Sequence, residues 1–171
     1  MSPSPTVISE QFVKLLEENK GILFKVARTY ASGEEEVKDL IQEISIQVWK
    51  AFPRFNPDFK FSTWLYRIAL NVAISNLRME SKRKEIHRGY DEQMILKIPE
   101  EDQESDQSLK LLYQIIGTMK SLDRALILLY LEEKTYAEIS EIMGITETNV
   151  ATKLSRLKKT IKNEFLKQNQ L

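Results

Sequence analysis

Cysteine is absent from this chain, so neither a disulfide framework nor a thiolate zinc site can be built from it. Histidine occurs once, as His87, in a charged stretch with no second ligand at metal-binding spacing. A surface histidine is the expectation, with no metal and no cofactor. No apolar run approaches the roughly 20 residues of a membrane span. The opening MSPSPTVISEQF also lacks the apolar region of a signal peptide. A soluble cytoplasmic protein without membrane insertion is therefore expected. Net charge is missing too, with 25 Lys/Arg against 25 Asp/Glu. That balance argues against a strong nonspecific binder of nucleic acid.

The distribution of charge is more informative than its sum. Residues 1–84 hold 13 basic and 10 acidic residues, residues 85–108 hold 2 and 8, and residues 109–171 hold 10 and 7. Two mildly basic modules thus flank an acidic connector, EIHRGYDEQMILKIPEEDQESDQS, which breaks helical periodicity and carries Pro99. It reads as a flexible tether whose short apolar patch, Met94–Ile98, can dock elsewhere. The expected fold is all-α, with two small helical domains (1–84 and 109–171) joined by a flexible acidic linker (85–108).

In the second module, TYAEISEIMGITETNVATKLSRLKK (135–159) has the pattern of a helix-turn-helix. Thr135 and Glu138 are spaced as a capping box, and Ile139, Ile142 and Met143 give an apolar face. Gly144 suits the tight turn, Ile145 can plug it, and Thr146 can cap a second helix. Val150, Leu154, Leu157 and Ile161 then form one inward stripe. Thr148, Asn149, Thr152, Lys153, Arg156 and Lys159 remain for the exposed side or leading end. Such a helix fits a major groove, with base edges at its first turns and phosphates beyond. The same pattern also describes an amphipathic helical hairpin with a solvated cationic face.

In the first module, Phe12–Tyr30 reads as one helix, interrupted tolerably at Gly21. Glu34–Phe52 reads as a second, with Val37, Leu40, Ile41, Ile44 and Val48 inward. A neighbouring stripe of Asp39, Gln42, Glu43, Ile46 and Trp49 mixes carboxylates with large apolar groups. That mixture suits a protein interface, unless Ile46 and Trp49 widen the core. The turn-rich PRFNPDFK (53–60) leads to a third helix, with Ser62 as its expected cap and Leu65, Ile68, Ala69, Val72 and Leu77 inward. Its other face carries Trp64, Arg67, Asn71, Ser75, Arg78 and Lys82. Rings near a loop followed by amides and cations on one helical face suit single-stranded nucleic acid. Of Phe59, Phe61, Trp64 and Tyr66, at least two are expected in the core. Glu34–Glu36 reads as a solvated helix start, and no catalytic constellation is evident.

Residues 39–78, DLIQEISIQVWKAFPRFNPDFKFSTWLYRIALNVAISNLR, closely resemble region two of bacterial sigma factors. Residues 119–165, with EISEIMGIT inside them, resemble region four. With a short linker between them, the chain resembles an extracytoplasmic-function sigma factor. The resemblance implies that Asp39, Gln42, Glu43, Ile46 and Trp49 bind core RNA polymerase. It implies minus-ten contacts from Phe55, Asn56, Phe61, Trp64, Arg67, Asn71, Asn76, Arg78 and Lys82. The loop 55–61 would shape a pocket for a flipped base. Minus-thirty-five contacts fall to Thr146, Thr148, Asn149, Thr152, Lys153 and Arg156. Ala151 stands where the family commonly has a cation. Leu122-Asp123 is read at the family's Leu-Pro, with Asp123 capping the helix.

The implied function is promoter recognition and opening for transcription initiation, without enzymatic activity. The implied partners are core RNA polymerase, promoter DNA and an anti-sigma factor. A stand-alone helix-turn-helix regulator and an adaptor that does not bind DNA are the rival readings.

Overall fold

The computed structural model describes residues 5–87 and 107–169. Among the described residues the secondary structure is helical, without a strand. The helices are α1 (Pro5–Glu18), α2 (Lys20–Tyr30), α3 (Glu34–Ala51), α4 (Phe61–His87), α5 (Gln107–Gly117), α6 (Ser121–Leu131), α7 (Tyr136–Met143) and α8 (Glu147–Asn169), with a single 3-10 turn at Phe52–Arg54. Glu85–His87 extend α4, and Gln107 and Ser108 open α5. Residues 88–106, including the apolar patch Met94–Ile98 and Pro99, lie outside the described residues.

The expected single helix from Phe12 to Tyr30 is two, and the break falls at Asn19, before Gly21. Asn19 has φ −118° and ψ 12°, and its side-chain amide donates to the Leu15 carbonyl at 2.8 Å. By taking that carbonyl it competes with the backbone ladder, and the chain turns there. Gly21 sits in the first turn of α2, with open space around it.

The first module is built around α2, α3 and α4, which pack on one another. Leu23, Val26 and Ala27 of α2 meet a core that includes Leu40, Ile44 and Val48 of α3 and Leu65 and Ala69 of α4. Complete burial of a side chain such as Ile44 or Leu65 stabilises the fold by about 1.5–3 kcal/mol. On α4 the buried arc covers more than half the helix circumference, because Tyr66, Leu70, Ala73 and Ile74 are buried as well. The extra flank has a cause in the second module, since α4 also contacts α6 and α7.

The N-terminus of α4 is set by aromatic packing and not by a hydroxyl cap. Phe61 is its first residue and is buried against Phe52, Phe55 and Trp64, so Ser62 falls inside the helix. In α6, likewise, Lys120 is the cap residue and Asp123 is the third helical residue. Asp123 still favours that end through the helix dipole, but it does not cap it.

Arg124, 6 % exposed, ties the α5–α6 turn together. Its Nε donates to the Met119 carbonyl at 2.9 Å and its Nη2 to the Gly117 carbonyl at 2.5 Å. Burial pushes its pKa down, against the raising effect of Tyr30.

The two modules are packed against each other. Tyr30 donates its hydroxyl to the Ser121 carbonyl at 2.6 Å, Lys25 pairs with Glu132, and Lys60 pairs with Glu138 at 3.4 Å. The buried apolar residues of both modules form one continuous cluster.

After α6 the chain reverses through Glu133, which adopts φ 55°, the left-handed region that glycine occupies without cost. Its N–H donates to the Tyr130 carbonyl at 3.0 Å and the Lys134 N–H to the Leu129 carbonyl at 3.1 Å, a Schellman closure. Glu133→Gly is expected to stabilise the protein by about 1 kcal/mol, raising Tm by about 2–4 °C. Thermal unfolding followed by circular dichroism checks this, and an unchanged or lower Tm contradicts it.

Candidate nucleic-acid interface

The helix-turn-helix assembles from local chemistry. At the start of α7 the Glu138 N–H donates to Thr135 Oγ1 at 3.2 Å, while Glu138 Oε2 accepts from the Thr135 N–H at 2.9 Å. That backbone hydrogen bond, more than any other influence, holds the Glu138 carboxyl below its ordinary range. Gly144 ends α7 at φ 67°, where a side chain would be strained. Ser140 Oγ then donates to the Ile145 carbonyl at 2.6 Å, fixing the turn from inside. Thr146 Oγ1 accepts from the Asn149 N–H at 3.2 Å and opens α8.

Val150 and Leu154 are completely buried, and Leu157 and Ile161 pack on the same core. This fixes the rotation of α8. Thr146, Thr148, Asn149, Thr152 and Arg156 are exposed, and Lys153 is half-buried at the edge of that face. Thr152 Oγ1 is engaged with the Thr148 carbonyl at 2.9 Å, so of these side chains Asn149 and Arg156 project the longer polar groups.

On α4 the exposed arc carries Arg67, Asn71, Ser75, Arg78 and Lys82, with Trp64 half-buried at its upper end. Two other candidates do not join them. Phe61 is a core residue, 8 % exposed, and contributes by positioning Phe55 and Trp64, whose ring centroids lie 5.4 and 5.5 Å from its own. Asn76 is half-buried on the opposite flank, facing a cleft shared with Asp39, Leu40 and Glu80. Its position in the helical rotation puts it among the inward residues, which the motif match alone does not reveal.

The loop before α4 is compact. Asn56 Oδ1 accepts from the Asp58 N–H at 3.0 Å, and Phe59 stands 57 % exposed at its rim. Phe55, half-buried, lies against Trp64 at 4.9 Å between ring centroids. Beside it, α3 presents Asp39, Gln42, Glu43, Ile46 and Trp49 as one exposed stripe. Ile46 and Trp49 are 45 % and 44 % exposed, so they do not widen the core. Trp49 meets it through an edge contact with Phe12.

One surface escaped the sequence reading. Leu112, Ile127, Leu131, Ile161, Phe165 and Leu166 line a groove of about 340 Å³ between α5, α6 and α8, beside Lys158 and Lys162. The continuation of the α8 stripe into Phe165 and Leu166 was its sequence signal.

A helix-turn-helix module thus packs against a second helical module with an amide-and-cation face. Residues 15–83 match Sigma-70 region 2, and residues 109–161 match Sigma-70, region 4. The sigma-E factor of Haemophilus influenzae, an ECF RNA polymerase sigma factor, is 28 % identical over 144 residues, covering 78 % of this chain and 76 % of that protein. The ECF sigma factor SigW of Bacillus subtilis is 24 % identical over 169 residues, covering 91 % and 89 %. Among solved structures, RpoE from Bartonella quintana, in complex with the anti-sigma factor NepR, aligns with TM-score 0.77 and 19 % identity. That alignment covers 92 % of this chain and 98 % of that one. CnrH in complex with the cytosolic domain of CnrY aligns with TM-score 0.64 and 20 % identity, covering 91 % and 87 %.

This chain belongs to the sigma-70 family, among the extracytoplasmic-function factors. It is accordingly an RNA polymerase sigma factor for transcription initiation. No described helix is long and apolar enough to cross a membrane.

Because its folded pKa is depressed, the Glu138 carboxylate contributes stability above its ordinary value of 4.5, and that contribution is lost as pH falls through the folded value. The stability difference between wild type and Glu138→Gln is therefore expected to be largest near neutral pH and to shrink below pH 4.5. Denaturant titrations across that range check it, and a difference independent of pH contradicts it.

Proposed function

We propose that the exposed faces divide the work of initiation between them. The α3 stripe, Asp39, Gln42, Glu43, Ile46 and Trp49, binds core RNA polymerase. The arc of α4, Trp64, Arg67, Asn71, Arg78 and Lys82, with Phe55 and Asn56 from the preceding loop, holds the opened non-template strand at the minus-ten element. The leading end of α8, through Thr146, Thr148, Asn149, Thr152, Lys153 and Arg156, lies in the major groove at the minus-thirty-five element. Phe61 and Asn76 act in this scheme from within the fold and not by touching DNA.

The observation that carries this reading is the separation on α4 of a buried arc from an exposed one that aligns Arg67, Asn71, Ser75, Arg78 and Lys82 below Trp64. Flat rings stack on unpaired bases while cations follow the backbone. Amides and guanidinium groups meet base edges, each good bidentate contact contributing about 1–3 kcal/mol of discrimination. The protein needs no catalytic residue of its own, since binding the open strand better than the duplex shifts the equilibrium toward opening. RNA synthesis belongs to the polymerase.

An anti-sigma factor is the proposed regulatory partner and the cytoplasm the proposed location. The sigma-factor complexes with NepR and with CnrY support the former, and the family's work on RNA polymerase supports the latter.

Transcription by purified core polymerase on a promoter library, with and without this protein, tests the scheme. Specific starts are expected only when it is added. Asn71→Ala is expected to weaken open-complex formation by about 1–3 kcal/mol, roughly 5- to 150-fold, with core binding unchanged. Trp49→Ala is expected to show the reverse pattern, weakening core binding by about 2 kcal/mol, near 30-fold. A duplex site selected equally well without polymerase would favour a stand-alone regulator. Core binding without any specific start would favour an adaptor.

A further inference from the structure

The groove between α5, α6 and α8 has a chemistry that the promoter contacts leave unused. Its walls are aliphatic and aromatic, from Leu112, Ile127, Leu131, Ile161, Phe165 and Leu166. Leu131 and Leu166 stand 47 % and 49 % exposed, and Leu109, one turn before Leu112, carries the apolar surface toward the start of α5. A small-molecule site adds a few converging polar groups to walls of this kind. Here the charged groups are two cations at the rim, Lys158 and Lys162. Lys158 Nζ rests 4.1 Å from the centre of the Tyr130 ring. Neither lysine pairs with a carboxylate among the described residues. The matching occupant is a peptide with an apolar run next to an acidic one.

This chain contains such a peptide. MILKI (94–98) is followed by Pro99 and then by Glu100, Glu101, Asp102, Glu104 and Asp106. The order of the helices delivers it to the groove. α5 and α6 form a hairpin closed by residues 118–120, which sets Leu112 level with Ile127 and the start of α5 beside Leu131. The chain that enters α5 therefore arrives at the open end of the groove. Gln107 lies nine residues after Ile98, a reach of up to about 30 Å for extended backbone. Leu112 lies only about 7.5 Å along α5 from Gln107. A tether this short holds the run near the groove at an effective concentration in the millimolar range.

We propose that Met94–Ile98 seats in this groove of its own chain, with the acids after Pro99 against Lys158 and Lys162. The seat covers apolar surface at Leu131 and Leu166 that would otherwise be open to a second copy. It also leaves the proposed reading face of α8 free. Arg156 and Phe165 are nine residues apart, which puts them on opposite sides of the helix.

The absence of cysteine makes the test direct. A spin label on Gln93→Cys, in the full chain with labelled methyl groups, reports by NMR which side chains the run lies against. The methyls of Leu112, Leu131, Ile161 and Leu166 are expected to broaden, while those of Leu23 and Ile44 in the first module stay sharp. Ile95→Asp/Leu96→Asp is expected to lower the seated-to-free ratio at least about ten-fold and to sharpen the groove methyls again. Lys158→Glu/Lys162→Glu is expected to lower the ratio about five-fold. Adding Glu100→Lys/Glu101→Lys is expected to recover it, which separates pairing across the groove from loss of the Lys158–Tyr130 contact. Equal broadening in both modules, or groove methyls that Ile95→Asp/Leu96→Asp leaves unmoved, overturns the proposal. Broadening seen only when spin-labelled and methyl-labelled chains are mixed seats the run of a second copy, and overturns it as well.

Discussion

Nearly everything in this molecule depends on the two-sided burial of α4. Leu65 and Ala69 belong to the core that α2 and α3 complete, while Tyr66 lies under Lys134 from the second module. A helix held on more than half its circumference has little freedom to rotate. The remaining arc, from Arg67 to Lys82, is therefore aimed by packing and not by its own side chains. In the proposed scheme, rigid support of that kind lets a row of polar groups meet a flexible strand without first having to be ordered.

The second module solves the same problem with shorter means. Its helix α8 is aimed by the complete burial of Val150 and Leu154, and its turn is set by Gly144 and by the inward hydroxyl of Ser140. The Thr135–Glu138 capping box begins the unit. Glu138 serves two masters, closing the N-terminus of α7 and receiving Lys60 from the other module. Local folding and long-range packing are thus coupled through one carboxylate.

Much of this was legible in the sequence because it is periodic or local. The capping box, the glycine turn, the inward stripe of α8 and the exposed stripe of α3 each follow from spacing alone. What was not legible depends on contacts between distant residues. Tyr66 is buried beside Glu132 and Lys134 of the second module, and no periodicity within residues 61–87 announces those partners. Asn76 lies half-buried on another flank of α4 for a related reason, since a motif match gives a position but not a helical rotation. Ser62 and Asp123 were read as caps from residue type. The aromatic cluster around Phe61 and the start of α6 at Ser121 moved both into helical turns. The break at Asn19 turned on one side-chain hydrogen bond, which propensity does not weigh.

The division of α4 into a held arc and a free one also bears on how such a protein diversifies. Substitutions on exposed positions away from caps and buried contacts usually change stability by no more than about 0.5 kcal/mol. Arg67, Asn71, Ser75 and Arg78 are positions of this kind, as are Asn149 and Arg156 on α8. With the DNA contacts proposed above, gene duplicates of this chain can therefore change the DNA letters they prefer while drawing on one unaltered interior. New regulatory circuits then arise by resurfacing two helices, with the fold inherited intact.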